Sequence, residues 1–420
     1  MREIKVLVIA LHPRLEGYVG GGWLRLIALI RHSKNVQVRY TLIESYPMKK
    51  ITGLDYDSVK TIFVPGRGPL QTLMLIVEAI FRGISKAVKY RFDLVLSPNE
   101  AWYQVIPAFF IGLLARVPWT SVMLTLPVYG SPLPPGTIKT STRSLYSYTL
   151  RFPRAEFPGI RIFWAITASL SYRLLRRTIV GTIGSVGRDL ERLDTRFHYY
   201  KIDPPIASSL SPPNTIKINC TYAAVYVGPL TLRKGIPDLL LCWSDVCKEF
   251  PAAKLALVGK GTPGILKELR KMMRDLKIED KVAFPFEPTR GASYGTELVS
   301  VLTDSRMMIY PSKMDTAPMS IMDSLACGLP VIAYDIPGVR ETYGKCDAVI
   351  LVPPGDIAAL TRETISLLKD DVRWSQLKEK AIAFCRQKSW DKVALAERGF
   401  YVRVIHQLRN RSSRPPHQQD

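Results

Sequence analysis

Three observations in the sequence predict an α/β protein of two doubly wound domains. The chain has 420 residues, more than the roughly 250–300 at which a single core stops growing. Short apolar runs alternate with helical patterns, which is typical of parallel sheets with crossover helices. A proline-rich polar stretch at 203–214 divides these runs into two series, and such stretches resist helix and central strand. We therefore expect two Rossmann-like domains facing a central cleft.

The predicted strands are short apolar runs, as buried parallel strands require. In the first domain they are Lys5–Ala10, Val36–Ile43, Thr61–Val64, Leu94–Ser97 and Ser121–Leu126, with helices at Trp23–Arg31 and Leu70–Tyr90. In the second domain they are Tyr222–Val227, Lys254–Val258, Val282–Phe284, Met307–Tyr310, Val331–Tyr334 and Val349–Leu351. Ligands of such sheets bind beyond the carboxyl ends of the strands, so the loops there should line the cleft.

Composition limits the function classes. The chain is 47% hydrophobic and 22% charged, which is typical of globular proteins. Its net charge of +22 predicts attraction to nucleic acid, an anionic membrane or phosphorylated substrates. Six cysteines without CxxC spacing are interpreted as reduced thiols, with no zinc site or disulfide framework. The N-terminal apolar run is too short for a signal peptide, and the longest one, Val105–Val117, is too short to span a bilayer. We expect a cytoplasmic protein with at most peripheral membrane contact.

The segment Tyr310–Ala333 carries the strongest local signal. A strand ends at Tyr310 and a loop follows. Pro318 suits the first position of a helix, where its missing N–H costs nothing, and Gly328 suits the C-terminal cap. The segment therefore predicts strand, loop, helix and strand in that order.

The start of this helix is a candidate pyrophosphate site, because the first amides of a helix have no partner within it. These amides belong to Met319, Ser320 and Ile321. Asp315 lies in the preceding loop, and Asp323 lies about one and a half turns into the helix. Without further context, two aspartates at this spacing are more often a solvated loop residue and a helix-surface residue. The surrounding pattern favours hydrogen bonds to a ribose diol and to sugar hydroxyls.

This segment resembles the E-x7-E motif of GT-B-fold glycosyltransferases of the retaining family 4, the glycosyl transferases group 1 proteins. In that family the loop glutamate contacts the donor sugar and the helix glutamate binds the ribose, which implies these roles for Asp315 and Asp323. Both positions hold aspartate here, so each side chain is a methylene shorter. The resemblance implies a nucleotide-sugar donor, UDP- or GDP-linked, transfer with retention, and no metal or other cofactor.

The segment Val227–Gly235 resembles the G-R-L-x-x-x-K-G stretch of the same family, whose arginine and lysine grip the diphosphate. Lys234 occupies the lysine position, which implies a catalytic role. The arginine position holds Pro229, which has no donor, and Arg233 is the candidate substitute. The alternative is a basic turn before a helix with no ligand.

Further landmarks follow in the family's order. Gly228 and Gly259 belong to turns where glycine allows close approach of a ligand, and Phe286 falls where family members contact the base. The C-terminal stretch resembles the family's helix that crosses back to the first domain. The resemblance covers about 220–405 well and the first half loosely. It implies an acceptor-binding domain at 1–205, a donor-binding domain at 206–388, the crossing helix at 389–409 and a disordered tail at 410–420.

Two features of the first half complete the candidate site. Gly21 and Gly22 belong to a glycine loop expected to precede the first helix, and it resembles the family loop that approaches the donor phosphates. Such turns also serve plain packing. His12, at the end of the first strand, is a possible cleft residue, although a lone histidine is more often structural.

The positive charge is concentrated in segments that also carry aromatic and apolar side chains. Residues 139–177 interleave arginine with tyrosine, phenylalanine and tryptophan, and Leu70–Tyr90 adds apolar residues beside Arg82, Lys86 and Lys89. This pattern suits a membrane interface. The alternative for Leu70–Tyr90 is a core helix in which Leu73, Ile76, Ile80 and Ile84 are buried and the cations are solvated.

The sequence thus predicts a glycosyltransferase that acts on a glycan or lipid-linked acceptor and attaches peripherally to the anionic cytoplasmic face of a membrane. A first alternative is a catalytically degenerate GT-B protein that serves as a partner subunit, which Pro229 and the two aspartates motivate. A second is a nucleic-acid binder. It has little support, because no RNP, KH or helix-turn-helix pattern is present.

Overall fold

The computed structural model describes residues 2–11, 21–45, 54, 56–61, 69–124, 170–193, 196–210, 220–289 and 295–412. The chain forms two compact units. The first comprises Met1–Pro204 together with Asp391–Asp420, and the second is Pro205–Trp390. The chain therefore passes between the units twice, and its C-terminal helix belongs to the first unit.

The first unit is built on a parallel sheet of seven strands in the order β3-β2-β1-β4-β5-β6-β7. The strands are β1 Ile4–Ala10, β2 Val38–Glu44, β3 Asp57–Lys60, β4 Leu94–Ser97, β5 Trp119–Met123, β6 Ile179–Thr182 and β7 His198–Lys201. β1 and β4 are buried along nearly their whole length, because helices cover both faces of a doubly wound sheet. The direction of strand order reverses between β1 and β4, which marks the switch point of this unit.

The described helices of the first unit are Gly21–His32, Pro69–Tyr90, Trp102–Ala115, Val186–Leu193 and Trp390–Ser412. Side chains from β1 and β4, among them Leu7, Ile9 and Val95, form the core together with Val105 and Ile111 of the helix Trp102–Ala115. No described helix of the chain is long and apolar enough to cross a membrane.

The second unit is built on a parallel sheet of six strands in the order β10-β9-β8-β11-β12-β13. The strands are β8 Ala224–Val227, β9 Leu255–Val258, β10 Val282–Ala283, β11 Met308–Tyr310, β12 Val331–Tyr334 and β13 Val349–Val352. The order reverses between β8 and β11, so the loops that follow these two strands flank the switch point.

The described helices of the second unit are Ile236–Glu249, Pro263–Asp275, Thr296–Thr303, Met319–Ala326, Pro337–Tyr343, Ile357–Lys369 and Asp371–Arg386. Several begin as the sequence dictates. The Asp356 carboxylate accepts from the Ala359 amide at 2.8 Å, and the Asp370 carboxylate accepts from the Arg373 amide at 2.8 Å. Such caps satisfy amides that have no partner within the helix.

Several sequence predictions of elements are confirmed and one is corrected. Strands Leu94–Ser97 and Val331–Tyr334 have the predicted bounds. The predicted strand Thr61–Val64 lies outside the described residues except for Thr61, and the structure adds a half-exposed strand at Asp57–Lys60, which pairs with β2 and carries no apolar run. The helix predicted to end at 409 continues to Ser412, so the expected disorder does not begin at 410.

Candidate functional site

Four of the candidate donor-binding loops belong to the second unit and follow adjacent parallel strands. Gly228 follows β8, Gly259 follows β9, Phe286 lies in the loop after β10, and Asp315 lies in the loop after β11. Parallel strands bring the loops after their carboxyl ends to the same edge of the sheet. The residues that the sequence predicted separately therefore share one edge of one unit.

A buried ion pair connects the loops on the two sides of the switch point. The Lys234 ammonium contacts the Asp315 carboxylate and donates to the Tyr310 hydroxyl at 3.1 Å. The Tyr310 hydroxyl donates to the same Asp315 oxygen at 2.5 Å, and the other oxygen accepts from the Thr316 amide at 2.8 Å. Lys234 ends the short turn Leu232–Lys234 and is 8% exposed. Its aliphatic stem is thus packed while its charged end reaches the site.

The surroundings keep Asp315 ionised and Tyr310 protonated. Burial raises the pKa of the Asp315 carboxyl. The Lys234 charge and the hydrogen bonds from Lys234, Tyr310 and Thr316 together lower it by more than burial raises it, so the pKa lies below its ordinary value. Burial, followed by the Asp315 charge, raises the pKa of Tyr310 well above its ordinary value. Near neutral pH this cluster therefore holds an anionic carboxylate and a neutral phenol.

The Tyr310 ring also packs against a second tyrosine beneath the loops. Tyr226 and Tyr310 stack with ring centroids 6.1 Å apart and planes inclined by 12°. The Tyr226 hydroxyl donates to the Pro229 carbonyl at 3.1 Å. The two rings thereby tie strands β8 and β11 to the loops that carry Lys234 and Asp315.

The helix that follows Asp315 is Met319–Ala326, one residue shorter at its start than predicted. Pro318 is its N-terminal cap and not its first helical residue. The Ile321 amide donates to the Pro318 carbonyl at 3.2 Å, so the expectation of a third open amide at Ile321 is wrong. The amides of Met319 and Ser320 have no acceptor among the described residues. These two amides remain as hydrogen-bond donors for an anion at the helix start.

The helix ends as the sequence predicts. Gly328 has a left-handed φ of 78°, its amide donates to the Leu325 carbonyl at 2.9 Å, and the Leu329 amide donates to the Ser324 carbonyl at 2.9 Å. This pair of bonds is a Schellman motif, which glycine favours. The predicted capping role of Gly328 is confirmed.

Asp323 lies on the inner side of this helix and is 2% exposed. One of its carboxylate oxygens accepts from the Ser208 hydroxyl at 2.6 Å. The same hydroxyl oxygen accepts from the Leu210 amide at 3.1 Å, which fixes its orientation. The alternative of a solvated helix-surface aspartate is therefore wrong for Asp323.

Glycine is needed where the loops after β8 and β9 meet. The Gly228 amide donates to the Val258 carbonyl at 2.9 Å. A Cβ on Gly259 would lie 1.7 Å from the Gly228 carbonyl oxygen, closer than any real contact. Both glycines thus have a packing role at the site edge, which brings the two backbones together. Phe286, half-buried, lies after β10 at the outer end of this row of loops.

Arg233 differs from its neighbour Lys234 in exposure. The Arg233 side chain is exposed, whereas its carbonyl accepts from the Lys313 amide at 3.1 Å and so joins the two loops. The Lys313 ammonium donates to the Asp238 carboxylate at 3.0 Å, and the Tyr334 hydroxyl donates to the other Asp238 oxygen at 2.8 Å. Sequence reasoning had not singled out Lys313 or Asp238, although Lys313 precedes Asp315 by only two positions.

The candidates in the first unit have less structural description. His12 and most of segment 139–177 lie outside the described residues. Gly21 and Gly22 lie within the first turn of the helix Gly21–His32, so the expectation that they form a loop before it is corrected. A Cβ on Gly22 would lie 2.5 Å from Leu124 Cδ1, just after β5. A larger residue at position 22 would therefore make the Leu124 side chain shift, which gives Gly22 a packing role.

The switch point of the first unit carries polar residues that sequence reasoning missed. Glu100 follows β4, and its carboxylate accepts from the Leu124 amide at 3.0 Å. Gln104 is buried and donates from Nε2 to the Leu11 carbonyl at 2.6 Å. The signal that could have found them is the end of a buried strand, Leu94–Ser97, followed directly by polar residues.

The cysteines and acidic residues form no metal-ligand set in the described part of the chain. No group of three or more histidine, cysteine, aspartate or glutamate side chains there is arranged to hold a metal ion. The six cysteines, all of them described, are free thiols.

The comparison with protein families points to the second unit. Residues 217–384 match the family model described as Glycosyl transferases group 1. The 2-deoxystreptamine N-acetyl-D-glucosaminyltransferase of Streptomyces fradiae is 29% identical over 151 residues, which cover 35% of this chain and 34% of that protein. Across three curated relatives the chain spans 34%, 47% and 39% of their lengths, well under two thirds.

Solved structures resemble the chain over nearly its whole length. Sucrose-phosphate synthase from Thermosynechococcus elongatus has a TM-score of 0.71 and 16% identity, covering 96% of this chain and 100% of that one. Anabaena HepE, solved in complex with UDP and glucose, has a TM-score of 0.65 and 15% identity, covering 98% and 100%. At such identity the likeness shows the fold alone. The chain has the predicted α/β fold of the GT-B class, and residues 217–384 of its second unit are similar to the glycosyl transferases group 1 family.

Proposed function

We propose that this protein is a glycosyltransferase that moves a sugar from a nucleotide-sugar donor to a glycan or lipid-linked acceptor, with retention of anomeric configuration. The observation that carries the proposal is the buried Lys234–Asp315 pair at the switch point of the second unit. Both residues of this pair lie within residues 217–384, which match the family model. A largely buried cation and carboxylate, near a helix start at which the Met319 and Ser320 amides have no acceptor among the described residues, provide the polar groups that a sugar diphosphate requires.

Lys234 is the proposed electrostatic catalyst. Negative charge builds on the diphosphate as the glycosidic bond breaks, and a fixed ammonium in a buried setting stabilises that charge better than water does. The amides of Met319 and Ser320 add hydrogen bonds at a helix start. Arg233 is the proposed additional cation, since Pro229 has no donor to offer.

The carboxylates are the proposed groups that position the donor. Asp323, oriented by Ser208, accepts from the ribose hydroxyls, and Asp315 accepts from the sugar. Gly228 and Gly259 allow the donor to approach the backbone, and Phe286 contacts the base. The complex of HepE with UDP and glucose makes UDP-glucose the first donor to test, with GDP-sugars next.

The first unit is the proposed acceptor domain, and the polar residues at its own switch point are the proposed acceptor contacts. Retention without an enzyme nucleophile corresponds to departure and attack on one face of the sugar. We assign no general base. The competing function is a degenerate GT-B partner subunit, which Pro229 and the shortened carboxylates favour.

The test is a thermal-shift screen across UDP-, GDP- and ADP-sugars, followed by turnover with the donor that gives the largest shift. We expect one donor to stabilise the wild type and to release nucleoside diphosphate, and Asp323→Ala to remove both effects. A shift without turnover on any acceptor would identify the degenerate partner instead. No shift with any nucleotide sugar would contradict both readings of the second unit.

A further inference from the structure

The helix Pro69–Tyr90 of the first unit has an ordinary buried face. Leu75, Ile76, Ala79 and Ala87 are at most 4% exposed and pack into the core. Gly83 lies on the same side, where a Cβ would come 2.3 Å from Ile111 Cδ1 of the helix Trp102–Ala115. The alternative that Leu73, Ile76, Ile80 and Ile84 are core residues therefore holds for Ile76, whereas Ile80 and Ile84 are half-buried and Leu73 is exposed.

The opposite face of this helix is also apolar, which is unusual for a surface helix. Its members share high exposure, between 43% and 70%. They are Leu70, Leu73, Met74, Val77, Phe81 and Val88. At about 100° per residue these six side chains fall within an arc of about 100° along the whole helix. We call this set the outer stripe.

Exposed apolar side chains continue on the neighbouring helix. Trp102–Ala115 packs directly against Pro69–Tyr90 and exposes Phe110, Leu113 and Leu114. Single exposed apolar residues are normal, but a contiguous row along a helix of 22 residues indicates an interaction surface.

Basic side chains lie beyond one edge of the outer stripe. Lys89, Arg82 and Lys86 lie about 100°, 120° and 160° around the helix from Leu70. Arg82 is paired with Glu78, the only acidic residue of the helix, at 2.6 Å. The Lys86 and Lys89 ammonium groups lie 4.6 Å and 5.3 Å from the centre of the Tyr90 ring. Cations and an aromatic ring beside an apolar stripe form the pattern of a helix that lies in a lipid headgroup layer.

We propose that the outer stripe is a docking surface for an anionic lipid bilayer. The apolar side chains enter the boundary between headgroups and acyl chains, while the flanking cations meet anionic headgroups. A second copy of this chain is the other apolar partner to consider. Charge favours the membrane, because two copies that each carry +22 repel one another, whereas an anionic surface attracts this face.

The experiment measures co-sedimentation of the full chain with two kinds of vesicle: phosphatidylcholine alone, and an equal mixture of phosphatidylcholine and phosphatidylglycerol. We expect the mixed vesicles to bind the wild type at least ~10-fold more strongly. Val77→Glu together with Phe81→Glu should lower this binding at least ~10-fold, since it places two charges in the apolar layer.

A control variant carries one such valine-to-glutamate change away from the stripe. Val372 is 70% exposed on the helix Asp371–Arg386 of the second unit, so Val372→Glu should leave vesicle binding unchanged. Equal melting temperatures for the three proteins establish that each is folded. In a separate variant, Lys86→Gln with Lys89→Gln should remove about ten-fold of the preference for mixed vesicles.

Three results would each overturn the proposal. The first is wild-type protein that binds neither vesicle, and the second is a Val77→Glu/Phe81→Glu variant that binds as the wild type does. The third is sedimentation velocity in which the wild type is a dimer and this variant a monomer, which would assign the stripe to a second copy. None of these readouts involves sugar transfer, so they are independent of the proposed activity.

Discussion

Two buried ion pairs of this protein have different surroundings. In the first unit, Arg25 donates to Glu397 at 2.6 Å, and the two side chains are 5% and 1% exposed. The side chains of Lys234 and Asp315 in the second unit are 10% and 20% exposed. The first pair joins the first and last helices of its unit, whereas the second joins two loops at the edge of a sheet.

The two ion pairs also differ in the hydrogen-bond networks that surround them. The other Glu397 oxygen accepts from the Tyr401 hydroxyl at 3.0 Å, and the hydroxyls of Tyr401 and Tyr40 lie 3.2 Å apart. That network is closed by packed side chains and holds the C-terminal helix on the first unit. The Lys234–Asp315 pair keeps part of its surface exposed, and the helix after Asp315 begins with two amides that have no acceptor in the described part of the chain. A buried ion pair that packed side chains enclose completely is thus typical of a structural role. An ion pair that stays partly exposed at the loops of a sheet edge is typical of a binding site.

The largest expected effect comes from breaking the closed pair. Arg25→Met leaves Glu397 buried without its cation, so we expect the free energy of unfolding to fall by about 3–5 kcal/mol. Chemical denaturation monitored by circular dichroism measures it. The control is His32→Ala, which removes the exposed contact of His32 with Asp391 at 2.9 Å and should cost at most about 1 kcal/mol. Similar losses for both variants would contradict the distinction.

The second effect comes from breaking the open pair. Lys234→Met should lower kcat for sugar transfer by about 10²–10³-fold, because the charge on the leaving diphosphate loses its fixed partner. Unfolding should be affected less than in Arg25→Met, since Asp315 keeps the Tyr310 and Thr316 hydrogen bonds. Steady-state kinetics and denaturation on the same preparations measure both. A large stability loss with unchanged kcat would reclassify this pair as structural.

The third effect tests Asp323 and its partner. Asp323→Asn should weaken donor binding about 10–100-fold, the value of hydrogen bonds to a charged group. Ser208→Ala should weaken it only about 3–10-fold, because it removes the neutral partner that orients the carboxylate. Titration calorimetry with the donor measures both variants. Equal effects on binding from the two substitutions would show that the carboxylate charge is not what binds the ribose.

The smallest effect is the dependence of stability on pH. The pKa of Asp315 is lowered in the folded state, so its ionised form stabilises the fold above the ordinary pKa of 3.8. This contribution is lost as the pH falls through the lower folded-state pKa. The difference in unfolding free energy between the wild type and Asp315→Asn should therefore be constant near neutral pH and shrink below pH ~4. A difference that grows on acidification has the wrong sign for this account.

The sequence predicts the sheets well because parallel strands are buried on both faces and appear as plain apolar runs. Leu94–Ser97 and Val331–Tyr334 are found at their predicted bounds for this reason. Asp57–Lys60 was missed because an edge strand needs no such run. Pro318 and Gly328 locate the helix between them to within a residue, since backbone restrictions of these two residue types are local.

The sequence predicts which residues belong to the candidate site, but it does not predict which of them contact one another. Lys234, Asp315 and Asp323 stand out in the chain through a resemblance, yet nothing local reveals that Lys234 contacts Asp315 across 81 positions, or that Ser208 contacts Asp323 across 115. Such contacts depend on strand order and loop packing. The exposed face of Pro69–Tyr90 escaped prediction similarly, because periodicity identifies an apolar face without telling which of two is covered.

The proposed role of Lys234 is tested most directly by the rate of nucleoside diphosphate release from the matching nucleotide sugar, measured for the wild type and Lys234→Met. We expect turnover by the wild type, and at least ~100-fold slower release by the variant with donor affinity changed less than ~10-fold. Equal rates for the two proteins, or no turnover by the wild type with any nucleotide sugar and acceptor, would contradict it.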